Sequence, residues 1–172
     1  MSSRPSTVVL MSAPPPGAQR ALRLDDYLPY RLSVAANAVS QLIARAYVDR
    51  FGLTVPQWRL MAVLGEDSPL TPQALCGRTI MDKVTVMRAA RGLLQRRLLR
   101  RQPNAADGRS HQLSLTATGE RMYAEVAPLA LKYEATLLAG IEAADVARLG
   151  QWLRRLQHTA AALTEGGTGP AR

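Results

Sequence analysis

TPQALCGRT (71–79), IM (80–81), DKVTVMRAARGLLQRRLLRR (82–101), QPNAADGRSHQ (102–112) and LSLTAT (113–118) run consecutively, and their reading decides the fold. Thr71 is a side-chain cap for a short helix with Pro72 at its first position, where a missing amide proton costs nothing. Asp82 caps a longer helix in which Val86, Ala89, Ala90 and Leu93 form an i, i+3, i+4, i+7 apolar stripe. Its other face carries Lys83, Thr85, Arg88 and Arg91. Residues 98–101 and 111–115 are strand-like, and 103–108 is a turn-rich connection with Arg109 near its tip. A short helix, a basic second helix and an Arg-tipped hairpin are the parts of a winged helix-turn-helix that docks on duplex DNA.

Outward from this stretch the chain is helical. Apolar residues recur at helical spacing from 28 to 47 (Leu32, Val34, Ala35, Ala38, Val39, Leu42, Ile43, Ala46), predicting one long helix. Gly52 is the expected left-handed cap after it. Thr54 and Pro56 open the next helix, which carries Trp58, Leu60, Met61, Val63 and Leu64 and ends before Asp67. Two further helices are predicted at about 116–140 (Met122, Val126, Leu129, Leu131, Tyr133, Leu137) and 143–163 (Val146, Leu149, Leu153, Leu156, Ala160, Leu163), separated by Gly140. Residues 1–24 lack an apolar period and are expected to form a disordered arm; residues 164–172 are expected to be a disordered tail.

Composition narrows the function classes. The 172-residue chain carries a net charge of +9, and lysine occurs only at 83 and 132. Arginine offers a planar, permanently charged fork suited to phosphates and guanine edges. Arg78, Lys83, Arg88, Arg91, Arg96, Arg97, Arg100, Arg101 and Arg109 concentrate the charge on the decisive stretch. A single cysteine, Cys76, excludes an internal disulfide and suits a reducing cytoplasm. No apolar run approaches the roughly 20 residues that span a bilayer, so no membrane partner is expected. Two histidines and one cysteine do not suit a metal site, and no cofactor is expected. No Ser-His-Asp set, paired-carboxylate motif or phosphate-binding glycine loop stands out, so no enzyme is predicted.

On DNA, a helix in the major groove presents one face, mainly near its N-terminus. Val84, Thr85, Met87, Arg88 and Arg91 occupy that face. Arg88 is the first candidate for a guanine contact, with about 1–3 kcal/mol of discrimination for a bidentate pair. Thr71, Gln73, Arg78 and Lys83 are the expected phosphate contacts, and Arg101 joins the DNA-binding set. Arg109 is the expected minor-groove probe, with Asp107 bracing the wing against Arg109 or Arg101.

The order of elements resembles the MarR family of bacterial transcriptional regulators over about residues 28–163. The resemblance rests on LTVPQWR (53–59), MDKVTVMR (81–88), the wing DGRS (107–110) and LTATG (115–119). Arg97 departs from it, standing where the family usually has a glycine closing the recognition helix. The resemblance implies a mainly α fold with a small β-wing: a MarR-type domain at 25–163, with a winged helix-turn-helix at about 54–116. Dimerisation helices at about 28–50 and 116–163 would interlock in an obligate homodimer. The implied function is a cytoplasmic repressor on a palindromic operator. LPYRLS (28–33) and MDKV (81–84) look most like regulators of aromatic-acid and hydroxycinnamoyl-CoA catabolism.

In that family the effector pocket lies where the first two helices meet the winged lobe. Tyr30, Arg31, Ser33 and Asn37 from the first helix, Trp58, Arg59 and Met61 from the second, and His111 from the wing are the implied lining. An aromatic wall and a cationic fork suit a planar phenolic acid such as vanillate, syringate or a hydroxycinnamate. A CoA thioester remains open, with Arg20, Arg23, Arg31 and Arg45 available to its phosphates. Two alternatives also stay open: an architectural DNA-binding protein without an effector, and a redox-sensing repressor using Cys76. For that thiol, a buried structural role is the better reading.

Overall fold

The computed structural model describes residues 21–104 and 107–166, with the side chains of residues 107–109 and 165 outside the described part. Most of the arm expected at 1–24 and of the tail expected at 164–172 also lies outside it. The chain divides into two compact units, Met1–Ala38 and Val39–Arg172. In the first, a 3-10 turn at Leu24–Asp26 precedes helix α1 (Leu28–Ala44), which runs on into the second unit.

The helix predicted to reach residue 47 stops at Ala44, and a turn leads into the one-turn helix α2 (Val48–Phe51). Ala46 and Tyr47, which continue the helical apolar period, are instead buried at that turn, at 5% and 2% exposure. Gly52 ends α2 with φ 61°, as its left-handed cap role requires. Arg96 reinforces that end by donating to the carbonyls of Phe51 and Gly52, at 2.7 and 2.9 Å.

Side chains set the starts of the next three helices. Thr54 and Gln57 form a reciprocal capping box on α3 (Val55–Glu66), a device contributing about 1 kcal/mol. Thr71 accepts from the Ala74 amide to start α4 (Pro72–Thr79), and Asp82 accepts from the Thr85 amide to start α5 (Lys83–Gln95). The α4–α5 turn passes through Ile80 at φ 52°, an outlying conformation for a β-branched residue. Arg97 takes φ 57° after α5, so it occupies the glycine-type position in the left-handed form.

Strands β1 (Leu99–Asn104) and β2 (Asp107–Leu115) pair antiparallel, with Leu99 opposite Leu115 and Pro103 opposite His111. The hairpin is longer than the sequence suggested. Residues that read as a connection by their Pro, Asn and Gly content carry the ladder outward, despite the proton missing at Pro103. An isolated bridge between Leu70 and Leu113 ties the segment before α4 to β2.

Thr116 caps α6 (Ala117–Leu137) and also donates to the carbonyl of Arg97 at 2.8 Å. Gly119 packs so closely that a Cβ there would collide with the Leu98 carbonyl oxygen. Gly140, at φ 88°, separates α6 from α7 (Ala143–Glu165) as expected. The core joins Leu60, Met61 and Leu64 of α3 to Leu75, Val86, Leu93, Leu98, Leu113 and Val126. This is the expected mainly α architecture with a small β-wing. Along α7, Val146, Leu149, Leu153, Leu156, Ala160 and Leu163 follow the alternating 3–4 spacing of a helix-pairing seam. None of them is buried.

Candidate nucleic-acid interface and apolar groove

Burying Val86, Ala89, Ala90 and Leu93 of α5 against the core turns its opposite face outward. Lys83, Val84, Met87, Arg88 and Arg91 line a shallow groove of about 400 Å³ on that face. Val84 is 66% exposed, which places its apolar side chain where a groove-reading residue has to be. A second crevice, of about 460 Å³, shares Lys83 and Met87 with the first. Thr71, Pro72 and Gln73 at the start of α4 close it on one side, and Asn104, Ser110 and His111 at the wing close it on another. The two form one surface in which cations flank exposed apolar groups, and among the described residues no carboxylate lines either. Electrostatically and sterically it suits a polyanion with apolar edges, as a DNA major groove is.

Several predicted contacts have more specific positions than their charge suggested. The half-buried Thr85 donates its hydroxyl to Asp82 at 2.6 Å, so it completes the α5 cap as well as sitting near the reading face. That bond holds the Asp82 carboxyl below its usual pKa, aided by the Thr85 amide. Arg78 reaches back to Glu66 at 2.8 Å and Asp67 at 3.0 Å, tying α4 to the end of α3. Arg101 donates to the His111 ring at 2.8 Å. The side chains of Asp107 and Arg109 lie outside the described part, so wing bracing and the minor-groove probe stand as expectations.

The predicted effector residues divide between the two units. Tyr30, Arg31, Ser33 and Asn37 are exposed residues of the first unit. In the second unit, Met61 has no exposed surface. This corrects its reading as a pocket residue, because its position on α3 turns it into the core. His111 is corrected too: the wing register places it in the crevice with Thr71, Gln73 and Lys83. Trp58 does face a cavity, stacked between Tyr47 and Tyr123 at centroid distances of 5.6 and 5.9 Å. Arg59 is exposed and donates to Ser40 at 3.3 Å. Its charge opposes the burial that pushes the Tyr47 phenol up.

The cavity beside Trp58 is an apolar groove of about 620 Å³. Val39, Ile43, Ala62, Tyr123, Leu138 and Leu153 contribute to its walls, and among the described residues Glu134 is the sole charged one lining it. The sequence reading missed Tyr123 and Glu134. A second helical stripe on α6, joining Tyr123 to Ala127, Ala130, Glu134 and Leu138, could have revealed them. Cys76 is half-buried and packs against the core. Among the described residues no helix is long and apolar enough to cross a membrane, and no three His, Cys, Asp or Glu residues gather as a metal site.

The chain's relatives bear on this surface. The transcriptional regulator HosA of Escherichia coli O127:H6 is 27% identical over 107 residues, spanning 62% of this chain and 79% of that protein. The crystal structure of a probable transcriptional regulator from Pseudomonas aeruginosa matches with a TM-score of 0.70 at 29% identity, covering 78% of this chain and 99% of that one. The Bordetella bronchiseptica BpsR structure, described as a mechanism for regulation of DNA binding by 6-hydroxynicotinic acid, matches at TM-score 0.72 and 20% identity. It covers 79% of this chain and 96% of that one, and at this identity it shows the fold alone. MarR regulators bind DNA, form dimers and bind small-molecule ligands. Residues 51–110, which carry α3, α4, α5 and most of the wing, match the MarR family model.

Proposed function

We propose that the protein is a homodimeric repressor of aromatic-compound catabolic genes, released from a palindromic operator by a planar aromatic effector. The observation that carries the DNA half is the cation-flanked apolar face of α5, continuous with the α4 start and the wing root. Arg88 and Arg91 read base edges, Val84 and Met87 meet thymine methyls, and Thr71, Gln73 and Lys83 set register on phosphates. Arg109 is the proposed minor-groove contact, with Asp107 bracing the wing against Arg109 or Arg101.

The effector half is supported by the Trp58–Tyr123 wall of the apolar groove. A phenolic ring stacks there at little desolvation cost. Since Glu134 is the charged group of the lining, the carboxylate of a phenolic acid turns away from it toward a cation, for which Arg59 is the available candidate on α3. A CoA thioester lacks that free carboxylate and has less need of the cation. Repression is lifted by the difference in effector affinity between DNA-competent and DNA-incompetent states.

Fluorescence anisotropy on labelled duplex from the region upstream of its own gene tests both halves. Vanillate, syringate, hydroxycinnamates and their CoA thioesters form the panel. Tight binding released by one compound is the expected result. Binding that no compound or oxidant releases overturns the effector half, and release by peroxide reversed by a thiol shifts the sensor to Cys76. Arg88→Ala should lose more affinity on operator than on scrambled duplex; equal losses would leave a phosphate contact.

A further inference from the structure

His111 was expected at the effector site and stands instead in the crevice between α4, α5 and the wing. Its Nδ1 lies 2.8 Å from an Arg101 guanidinium nitrogen. A guanidinium donates and never accepts, so Nδ1 is the bare, accepting nitrogen. The ring is therefore neutral, with its proton on Nε2. Burial and the Arg101 charge both hold the imidazole below its ordinary pKa, which agrees with that tautomer at neutral pH.

Among the described residues, the charged groups around the ring are cationic: Arg101 on β1 and Lys83 at the start of α5. α4 contributes Thr71 and Gln73, and β2 contributes Ser110, itself an acceptor from Asn104 at 2.8 Å. No carboxylate among the described residues lines this crevice, and its cations suit an anion from outside the chain. The crevice is continuous with the α5 reading face through Lys83 and Met87.

We propose that His111 is a DNA-backbone contact, its neutral ring donating Nε2–H to a phosphodiester oxygen seated beside Lys83, with Arg101 fixing the tautomer. The inference rests on the DNA-binding reading above. A neutral donor differs from a cation in one measurable way: it adds affinity without releasing a counterion. Each neutralised phosphate contributes about 0.9 to the slope of log affinity against log salt, and a neutral imidazole contributes nothing to it. Once protonated, the ring can no longer accept from Arg101, and it then counts as a charge.

The test is a salt titration of duplex binding by anisotropy, with the full chain and its His111→Ala, His111→Gln and Lys83→Ala variants. At about pH 7.5, His111→Ala should weaken binding about tenfold, the size of a hydrogen bond to a charged group, with an unchanged salt slope. His111→Gln, which keeps both an acceptor and a donor, should recover most of that loss. Lys83→Ala should weaken binding and flatten the slope. At about pH 5 the wild-type slope should steepen while that of His111→Ala stays fixed. Wild-type affinity in His111→Ala overturns the inference, as does a slope flattened at pH 7.5 in the manner of Lys83→Ala. Failure of the wild type to bind any duplex would instead bring down the DNA-binding reading itself.

Discussion

The winged lobe and the last helix are built on opposite terms. In the lobe, Leu60, Met61, Leu75, Val86 and Leu93 have no exposed surface, and α3, α4, α5 and α6 each begin on a hydroxyl or carboxylate cap. On α7, Leu149 and Trp152 are 50% and 54% exposed, and the first residue has no side-chain cap. The lobe satisfies its backbone and apolar surface from within the chain. α7 has the pattern of a core and lacks its other half, as suits the homodimer proposed above. If α7 pairs with a second copy as proposed, stability and assembly reside in different segments, and substitutions should separate them.

The packing of α6 against the root of the wing is the most sensitive place. Gly119→Val would drive a side chain into the Leu98 carbonyl oxygen, and overpacking of this kind costs about 1–3 kcal/mol or more. Because the obstacle is backbone, the expected loss is at the upper end, read from urea unfolding. A small loss would mean that α6 moves independently of the lobe. Leu60→Ala should cost about 2–5 kcal/mol and leave the oligomeric state unchanged. Its counterpart Leu156→Glu should instead shift sedimentation toward the single chain while the lobe remains folded. If Leu156→Glu unfolds the lobe, the separation drawn above is wrong.

Two smaller effects sharpen the account of the lobe. Arg97→Gly should stabilise it by about 1 kcal/mol, because a left-handed conformation costs an L-residue about that much and Arg97 adopts it at φ 57°. Thermal melts of the two proteins at one concentration settle the sign. Asp82→Asn should keep the α5 cap and change only the acid side of the stability profile. The Asp82 carboxyl titrates below its ordinary value when folded. Its contribution is therefore present at neutral pH and fades as pH falls through the folded pKa. A profile unchanged by the substitution would show that the charge does not matter to the cap.

What the sequence made legible was local. Thr54, Thr71 and Asp82 bond to amides three residues away, Gly52 and Gly140 supply positive φ, and Arg97 stands at a glycine-type position. Each involves a few adjacent residues, so the residue types alone carry the information. The α5 face was legible for the same reason, since one helical period separates Val86 and Leu93 from Arg88 and Arg91.

The misplacements were matters of register and packing. Tyr47 keeps the apolar period of α1 but is buried at a turn, and burial looks the same in sequence either way. Met61 and Trp58 share a helix, and only the packing around α3 decides which enters the core and which the groove. His111 lies against the starts of α4 and α5 because packing of the wing, which residue types do not reveal, decides what it faces. Tyr123 and Glu134 were overlooked because α6 has two useful faces and the stronger one drew the reading.

The 3–4 seam on α7 has a consequence for dosage. A protein that completes its apolar surface only with a second copy occupies a two-armed site in proportion to the square of its concentration while dimers are scarce. Halving the number of copies then lowers occupancy about fourfold, by mass action. If α7 pairs as proposed, the last helix thereby sets a threshold: expression level decides whether the winged lobes arrive at DNA one at a time or as a pair.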